Sequence, residues 1–261
     1  MDFVFESNAI GEEEKKLLTY TNLSIQWKVT IPEETLKRSK VIISADKYSH
    51  IITSSLLKTP SQPISSVGSI IGKRVVTDGV KVEEVGSGEG IKYGQVFASN
   101  DQLVLVVQFQ RSFNNQERIL SCIKQLFPSS EQEFLLLTSE SVHGVESSSI
   151  RQLTTTSASS AASLRQVFQK VPLLPVGKIV SQFAVASFLN YATVRRYPLT
   201  LLSNTIDTDD KVGVFRNYHT ILQNIKEWLQ IEDLLVDVQS DEELSRQLQA
   251  IILAEENSLY L

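Results

Sequence analysis

Four short runs of apolar residues constrain the fold of this 261-residue chain more than any other feature of its sequence. They have the length of β-strands and lie at residues 41–43, 103–107, 134–137 and 199–202. A strand that is apolar on both faces must be covered on both faces, so such runs are typical of parallel sheets. Helical patterns lie between the runs, and this alternation predicts an α/β domain with a mainly parallel central sheet covered by helices.

The spacing of apolar residues predicts four helices. In the first, Asn114 is a suitable N-cap, Glu117 stands in the capping-box position, and Pro128 ends the segment. The other three are expected at about residues 178–194, at about residues 218–230 and from Ser240 onward. The first helix lies between two of the apolar runs, as expected for a β-α-β unit.

Three further segments have a simple local interpretation. Residues 27–31 alternate between apolar and polar side chains, which predicts a half-buried strand that ends at Pro32. Residues 59–69, with two prolines and many serines, and residues 153–163, rich in Ser, Thr and Ala, are typical of loops.

No clear change of composition divides the chain into two domains. We therefore predict one domain over residues 1–254, with loop insertions at about 59–90 and 153–163. A flexible C-terminal tail is expected over residues 255–261.

Charge and cysteine content exclude several classes of protein. The net charge of −5 argues against a general affinity for nucleic acid or anionic membranes. With one cysteine, Cys122, and three histidines far apart, the sequence predicts neither a disulfide framework nor a metal site. It has no apolar run near 18 residues and no secretory signal, so we expect a soluble cytoplasmic protein.

The sequence offers little support for catalysis. A strand-like segment follows the glycine cluster at residues 86–90, so a hairpin turn is predicted there rather than a phosphate-binding loop. No G-x-S-x-G motif accompanies the many serines. Cys122 falls within the first predicted helix and is expected to be a small core residue.

An acidic loop is the strongest candidate for a catalytic or metal site. Asp207, Asp209 and Asp210 follow the last apolar run, at the end of a strand where α/β sheets usually place their sites. A solvated loop is the alternative. A small α/β hydrolase or nucleotide-binding enzyme would need Asp207, His143 and a serine to meet in one pocket.

A small basic patch precedes that loop. Arg195, Arg196 and Tyr197 follow the second predicted helix, and we expect the two arginines to cap its C-terminal end, where cations are favoured.

The last thirty residues differ from the rest of the chain. From Glu232 to the end, eight acidic residues accompany one base, Arg246, and the chain closes with Leu259, Tyr260 and Leu261. These three residues either pack onto their own domain or dock into another protein. Docking is favoured because a terminal carboxylate can be captured by a lysine or by backbone N–H groups, while a leucine and a tyrosine supply contact area. The acidic approach favours a basic receptor pocket.

The final tripeptide resembles the hydrophobic–tyrosine–any-residue (HbYX) pattern with which proteasome activators and assembly factors enter pockets between α-ring subunits. Other segments resemble the proteasome assembly chaperone 1 family, in order along the chain from about residue 39 to the end. They are residues 39–43 and 54–56 for a first strand and helix, 137–142 for a strand end and loop, 184–191 with 198–199 and 204–207 for a long helix and the next strand, and 242–244 with 257–261 for the final helix and tail. Residues 59–90 and the serine-rich loop do not match.

The resemblance implies a chaperone for assembly of the 20S proteasome core, not an enzyme, with the fold of the archaeal α/β assembly factors. It implies a heterodimer with proteasome assembly chaperone 2. This heterodimer would bind the α ring and its assembly intermediates and keep activators away until the core matures. Neither cofactor, nucleic acid nor membrane is expected as a partner, and the nucleus is a second expected location besides the cytoplasm.

The same resemblance assigns roles to the tail. Leu259 would pack in an inter-subunit pocket, Tyr260 would be the penultimate tyrosine, and the carboxylate of Leu261 would pair with a lysine of the ring. Two alternatives stay open: an activator of the mature proteasome, which shares this type of tail, and the small hydrolase or nucleotide-binding enzyme.

Overall fold

The structure of the chain is a computed structural model. It describes residues 18–57, 64–77, 82–84, 90–111, 117–127, 132–141, 148–155, 162–174, 183–207, 210–231, 246–247 and 249–251. The strands in this part of the chain are β1 (Leu18–Trp27), β2 (Lys40–Ser44), β3 (Ile64–Thr77), β4 (Val82–Glu84), β5 (Ile91–Ser99), β6 (Val104–Phe109), β7 (Glu117–Arg118), β8 (Glu133–Ser141), β9 (Ser149–Thr154) and β10 (Leu199–Ile206). The helices are α1 (Glu33–Arg38), α2 (Lys47–Leu57), α3 (Leu120–Leu126), α4 (Ala162–Val167), α5 (Phe183–Arg195) and α6 (Lys211–Leu229).

One sheet contains all of these strands, in the order β7-β1-β3-β5-β6-β2-β8-β10-β9, with β4 paired to β3. The central strands β6, β2, β8 and β10 are parallel. On one flank β1, β3 and β5 pair antiparallel, and on the other β9 pairs antiparallel with β10. The predicted α/β class is confirmed, and the sheet as a whole is mixed because its flanks are antiparallel.

The central strands bury both faces of the sheet. Val41 and Ile43 point into a first core, which α1, α3 and α5 cover, while Ile42 between them points into a second core under α2, α4 and α6. Every residue of β6 and of β10 is buried. Apart from Leu103, which precedes β6 and is 43% exposed, the four apolar runs lie in the predicted parallel strands, where both faces are buried.

Two predictions of local structure on the antiparallel flank are wrong. The predicted strand at residues 27–31 lies earlier, in β1, and ends at Trp27. There Lys28 N and Val29 N both donate to Val67 O, at 2.8 and 3.4 Å, so the regular ladder stops. The predicted loop at residues 59–69 is also wrong in its second half, because β3 begins at Ile64.

The strands on either side of the glycine cluster do not pair with each other, as the predicted hairpin would require. Both β4 and β5 run antiparallel to β3, and β1 pairs with residues 68–77 of β3 from the other side. Residues 86–90 thus connect two segments that run in the same direction along β3. At Gly90 a Cβ atom would lie 2.4 Å from Ile71 Cγ2, so close packing against β3 requires a glycine there.

The first predicted helix starts later than its capping pattern indicates. Asn114 lies outside the described residues, and Glu117 is not a capping residue but part of β7, which pairs with Thr21 and Asn22 of β1. Helix α3 begins at Leu120. Strand pairing at the open edge of β1 thus overrides the local signal.

The later helices lie where they are predicted, with different ends. Helix α5 occupies the described part of the second predicted helix. Helix α6 begins at Lys211, well before residue 218, because Asp210 accepts a hydrogen bond from Gly213 N at 2.9 Å and caps it. The final helix is described at residues 246–247 and 249–251. Among the helices of the described ranges, none has the length and hydropathy needed to span a membrane.

The double burial of the central strands predicts a steep loss of stability on truncation. We expect Leu136→Ala, on the fully buried strand β8, to lower the free energy of unfolding by about 2–5 kcal/mol, because it leaves a cavity in the first core. Leu153→Ala on the edge strand β9, where the side chain is 38% exposed, is the matched control and should cost less than about 1 kcal/mol. Urea unfolding of both variants measures the difference, and equal losses would contradict the two-faced core.

Candidate functional site

The predicted docking residues Leu259, Tyr260 and Leu261 lie outside the described residues. The described chain approaches them through helical residues 246–247 and 249–251, where half-buried Ile251 packs against the second core. Ten residues follow Ile251, and ten residues span at most about 33–36 Å when fully extended. The tail is therefore attached to the covered face of the sheet and is long enough to contact another protein.

The C-terminal end of α6 is fixed to the sheet by a small polar cluster. Lys40 Nζ donates to Trp228 O at 2.5 Å and lies 5.4 Å from the centre of the Trp228 ring. Trp228 Nε1 donates to Glu133 Oε2 at 3.1 Å. Burial lowers the pKa of Lys40, and the nearby Glu133 carboxylate partly opposes that shift. The C-terminal end of α6 is thus fixed at the amino ends of β2 and β8.

The carboxyl ends of the parallel strands carry polar groups, and their hydrogen bonds serve the fold. Asp46, two residues after β2, accepts from Ser49 N at 2.8 Å and from Ser139 N at 2.7 Å. In return Ser49 Oγ accepts from Asp46 N at 3.2 Å, which gives a reciprocal cap at the start of α2. Burial raises the pKa of the Asp46 carboxyl to about 6, although these donors act in the opposite direction. Asp46 joins β2, α2 and β8.

The acidic loop after β10 also has a structural role. Asp210 Oδ2 accepts from Ser148 N at 3.0 Å while its other oxygen caps α6, and these two bonds hold the pKa of Asp210 below its ordinary value. Asp207 is buried rather than solvated, and Asp209 lies outside the described residues. Within the part of the chain that the structure describes, no three His, Cys, Asp or Glu side chains form a group that could hold a metal ion.

The residues that the alternative enzyme would need are only partly described. Ser148 lies beside Asp207, but its Oγ accepts from the backbone N of Asp207 at 3.1 Å and also hydrogen-bonds to Asp210. His143 lies outside the described residues. The hydroxyl of Ser148 is thus engaged in holding the loop against α6.

The remaining candidates for chemistry lie inside the fold. Cys122 is completely buried in α3, and burial raises its thiol pKa to about 12, so its assignment to the core is confirmed. His50 lies in α2, and burial lowers its pKa. Neither side chain contributes to an open site.

Sequence reasoning missed the buried polar contacts between α6 and the strands. Asn217 Nδ2 donates to Asn204 Oδ1 at 3.0 Å, and the Tyr218 hydroxyl donates to Tyr48 O at 3.0 Å. The partners are 13 and 170 residues apart in sequence, and neither pair gives a local signal. The Asp46 cap could have been found, since an aspartate after a strand with a serine three residues later is a helix-start pattern.

The basic patch lies where it is predicted, at the C-terminal end of α5. Arg196 has φ of 59°, and Tyr197 N donates to Ala192 O at 2.8 Å, which closes the helix in the manner usually supplied by glycine. The Tyr197 ring stacks on Tyr191 with 5.9 Å between centroids. Both arginine side chains are exposed.

Comparison with known proteins identifies the fold. No protein-family model matches the sequence, and no curated protein matches it. Among solved structures, Pyrococcus furiosus PbaB, an archaeal proteasome activator, has a TM-score of 0.57 at 11% identity over 90% of this chain and 98% of that chain.

Two further solved structures are similar in fold to this chain. Pyrococcus furiosus PbaA, an archaeal homolog of proteasome-assembly chaperone, has a TM-score of 0.55 at 11% identity, over 91% of this chain and 96% of that chain. A protein with unknown function from Thermoplasma acidophilum has a TM-score of 0.55 at 14% identity, over 89% of this chain and 96% of that chain. The chain therefore has the fold of these proteins over nearly its whole length.

The Asp46 cap makes stability depend on pH in a defined direction. Because the folded-state pKa is about 6 and an unfolded aspartate has a pKa of about 3.9, the folded protein holds this proton more tightly. Its contribution to the free energy of unfolding is thus greatest below pH 4 and is lost as the pH rises to 6.

We expect Asp46→Asn to remove this pH dependence and to destabilise the protein by about 1–3 kcal/mol. The side-chain N–H of the introduced asparagine would face one of the backbone N–H groups that now donate to the carboxylate. The stability lost on substitution should shrink by on the order of 2 kcal/mol between pH 4 and pH 7. Urea unfolding across that range measures it, with exposed Asp101→Asn as the control. Parallel profiles for wild type and Asp46→Asn would contradict the assignment.

Proposed function

We propose that this protein is a chaperone of 20S proteasome assembly that acts by binding and carries out no catalysis. The observation that carries the proposal is the combination, in one chain, of the fold found in PbaA and PbaB with a terminal Leu259-Tyr260-Leu261 sequence of the HbYX type. The polar groups at the carboxyl ends of the strands support a binding role, since Asp46, Asp210 and Ser148 are engaged in structural hydrogen bonds.

The proposed mechanism separates a rigid body from a docking tail. Residues 1–254 form the body, and residues 255–261 carry the anchor into a pocket between two α-ring subunits. Leu259 fills the apolar part of the pocket, Tyr260 adds contact area and a hydroxyl, and the terminal carboxylate of Leu261 pairs with a lysine. The acidic residues before the anchor favour approach to a basic pocket.

The proposed partners follow from the resemblance to the proteasome assembly chaperone 1 family. The protein pairs with proteasome assembly chaperone 2, and the heterodimer binds α subunits and assembly intermediates in the cytoplasm and the nucleus. Occupation of the inter-subunit pockets also keeps activators away until the core particle is complete. No cofactor, nucleic acid or membrane takes part.

A second candidate function is activation of the mature proteasome. The similarity to PbaB, an archaeal activator, favours it, because the same fold and the same kind of tail would serve both roles. An assembly chaperone is absent from finished particles, whereas an activator binds them and raises their peptide hydrolysis. The two functions therefore differ in the particle that is bound.

Removal of the tail tests the docking mechanism. We expect deletion of residues 259–261 to abolish or strongly reduce co-precipitation of α-ring intermediates, and Tyr260→Ala to weaken binding by about 2 kcal/mol or more. Leu261→Lys should have a smaller effect, because the carboxylate is kept, and residues added after Leu261 should weaken binding because the carboxylate moves. Asn257→Ala, in the same tail but outside the anchor, is the control. Unchanged binding after the deletion would rule out the tail mechanism.

Mass spectrometry of proteins that co-purify with the tagged full chain tests the function itself. A companion chaperone together with α subunits is the expected result, with mature particles absent. Recovery of complete proteasomes with stimulated peptidase activity would support the activator instead. Recovery of neither would contradict both functions.

A further inference from the structure

A cavity of about 480 Å³ lies at the β9 edge of the sheet, between α4 and α6. Strand β9 contributes residues 149–151 to its lining, the end of α4 and the turn after it contribute residues 166, 167 and 169–172, and α6 contributes residues 216, 217, 220, 224 and 227. These α6 positions recur every three to four residues and therefore lie on one face of the helix. We call this cavity the edge groove.

Hydrogen bonds fix both walls of the edge groove. Gln152 Nε2 donates to Phe168 O at 2.8 Å and to Val171 O at 2.7 Å, which holds the turn after α4 against β9. On the other wall, Asn217 of α6 donates to Asn204 of β10 at 3.0 Å. The edge groove is therefore part of the packed fold.

Strand pairing on the outer side of β9 stops where the edge groove begins. Gln152 N donates to Pro172 O at 2.9 Å and Leu174 N donates to Gln152 O at 2.7 Å, so residues 172–174 form a short parallel bridge with β9. Backbone groups of a strand alternate between its two sides. Ile150, two residues before Gln152, therefore directs its N–H and C=O to the same outer side, where no described residue pairs with them.

The opposite edge of the sheet is covered. Strand β7 pairs with Thr21 and Asn22 of β1. Further along β1, Gln125 Oε1 accepts from Ile25 N at 2.6 Å, and Gln125 Nε2 donates to Ile25 O at 3.4 Å. An uncovered strand edge is a template for pairing with another chain. At Ile150 the described sheet can thus accept one more strand.

Positive charge predominates in the edge groove. The charged residues that line it are three cations and one carboxylate, namely Arg151, Lys170, Arg216 and Glu227. None of these four belongs to an ion pair between described residues. Asp210, which is near Arg216, already accepts from two backbone N–H groups, and Asp207 is buried. Exposed Glu227 thus offsets the cations only in part.

The dimensions of the edge groove suit a short extended peptide. Arg216 and Glu227 are eleven residues apart on α6, which corresponds to about 16 Å along the helix axis. An extended chain covers that distance in about five residues. Because Arg216 and Glu227 lie at opposite ends of the α6 stripe, acidic residues of such a peptide are favoured near Arg216 and disfavoured near Glu227.

We propose that the edge groove is a docking site for an extended acidic peptide segment of a partner protein, which adds to the sheet as a strand beside Ile150. In this mode, main-chain hydrogen bonds supply affinity and side-chain contacts supply specificity. Carboxylates of the peptide pair with Lys170 and Arg216. The site is separate from the terminal residues 259–261 and goes beyond the proposed function.

Fluorescence anisotropy with labelled peptides and the full chain tests the proposal. The probe is a six-residue peptide of alternating glutamate and valine, and we expect saturable binding that weakens as salt is added. The same peptide with lysine in place of glutamate should not bind. Methylation of every main-chain nitrogen keeps the charge but removes the donors, and it should weaken binding by about tenfold or more. Equal binding of the methylated peptide would show a general attraction between charges and would overturn the proposal.

Charge variants of the lining test the position of the site. We expect Lys170→Glu with Arg216→Glu to weaken binding by about tenfold, and Glu227→Gln to strengthen it by about twofold. Thermal unfolding checks that each variant keeps its fold. Lys170→Glu alone, in the turn after α4, leaves α6 unchanged and should weaken binding by about threefold.

A matched pair of variants controls for net charge. Lys92→Glu with Arg74→Glu makes the same change on exposed residues of β5 and β3, away from β9, and should leave the affinity unchanged. Deletion of residues 259–261 should also leave peptide binding unchanged, so failure of this proposal and failure of the tail mechanism are distinguishable. Equal weakening by the control pair would overturn the proposal.

Hydrogen exchange measured by NMR locates the added strand. The peptide should slow exchange of the Ile150 amide by about tenfold or more, because that N–H gains an acceptor. Absence of peptide binding, or binding without protection of Ile150, would overturn the proposal. Sedimentation that shows a dimer, with Ile150 protected before any peptide is added, would assign the edge to a second copy of the chain and would also overturn it.

Discussion

The burial of both faces of the four central parallel strands is the constraint on which the rest of the structure depends. Val41, Ile42 and Ile43 point alternately into two separate cores, so helices must cover both sides of the sheet. Each crossover helix then begins or ends at a strand end, where backbone and side-chain polar groups need partners. Asp46 and Asp210 meet that need at the start of α2 and of α6. After β2 and β10, the described residues at positions that α/β enzymes use for chemistry thus serve as helix caps.

The same constraint explains which parts of the fold could be predicted from the sequence. A strand with two buried faces favours consecutive apolar residues, and apart from Leu103 the four runs lie in the four parallel strands. Buried Thr200 and Asn204 in β10 show that this is a preference and not a requirement. An antiparallel strand on the flank of the sheet needs only one apolar face, so its sequence pattern is weaker. The local patterns there predicted the wrong bounds of the elements. Residues 27–31 alternate although the strand ends at Trp27, and Glu117 has the pattern of a helix cap although it pairs with β1. In both cases, pairing with a strand that is distant in sequence decides which structure forms.

The candidate sites also differ in how far each could be predicted from local sequence. The Asp46 cap has a local pattern, but its bond to Ser139 N depends on which strands are adjacent, and its burial is not visible in sequence. The Asn204–Asn217 and Tyr48–Tyr218 contacts need the packing of α6 on the sheet. A terminal docking tripeptide is the opposite case, because its chemistry lies in three consecutive residues and its pocket belongs to another protein. Sequence can suggest such a motif, and only a binding measurement establishes it.

In the proposed docking mechanism, the energetics of a three-residue anchor require the folded body to contribute to binding. Full burial of Leu259 would supply about 1.5–3 kcal/mol, and a charge-assisted bond to the carboxylate about as much again. Association itself costs several kcal/mol in lost freedom of motion, so a tripeptide alone would bind weakly. In that mechanism, contact between the body and the ring would make the tail an intramolecular ligand at an effective concentration near the millimolar range. Attachment at Ile251, which packs against the second core, would keep that concentration high, so the proposed mechanism depends on joining a weak anchor to a rigid α/β domain.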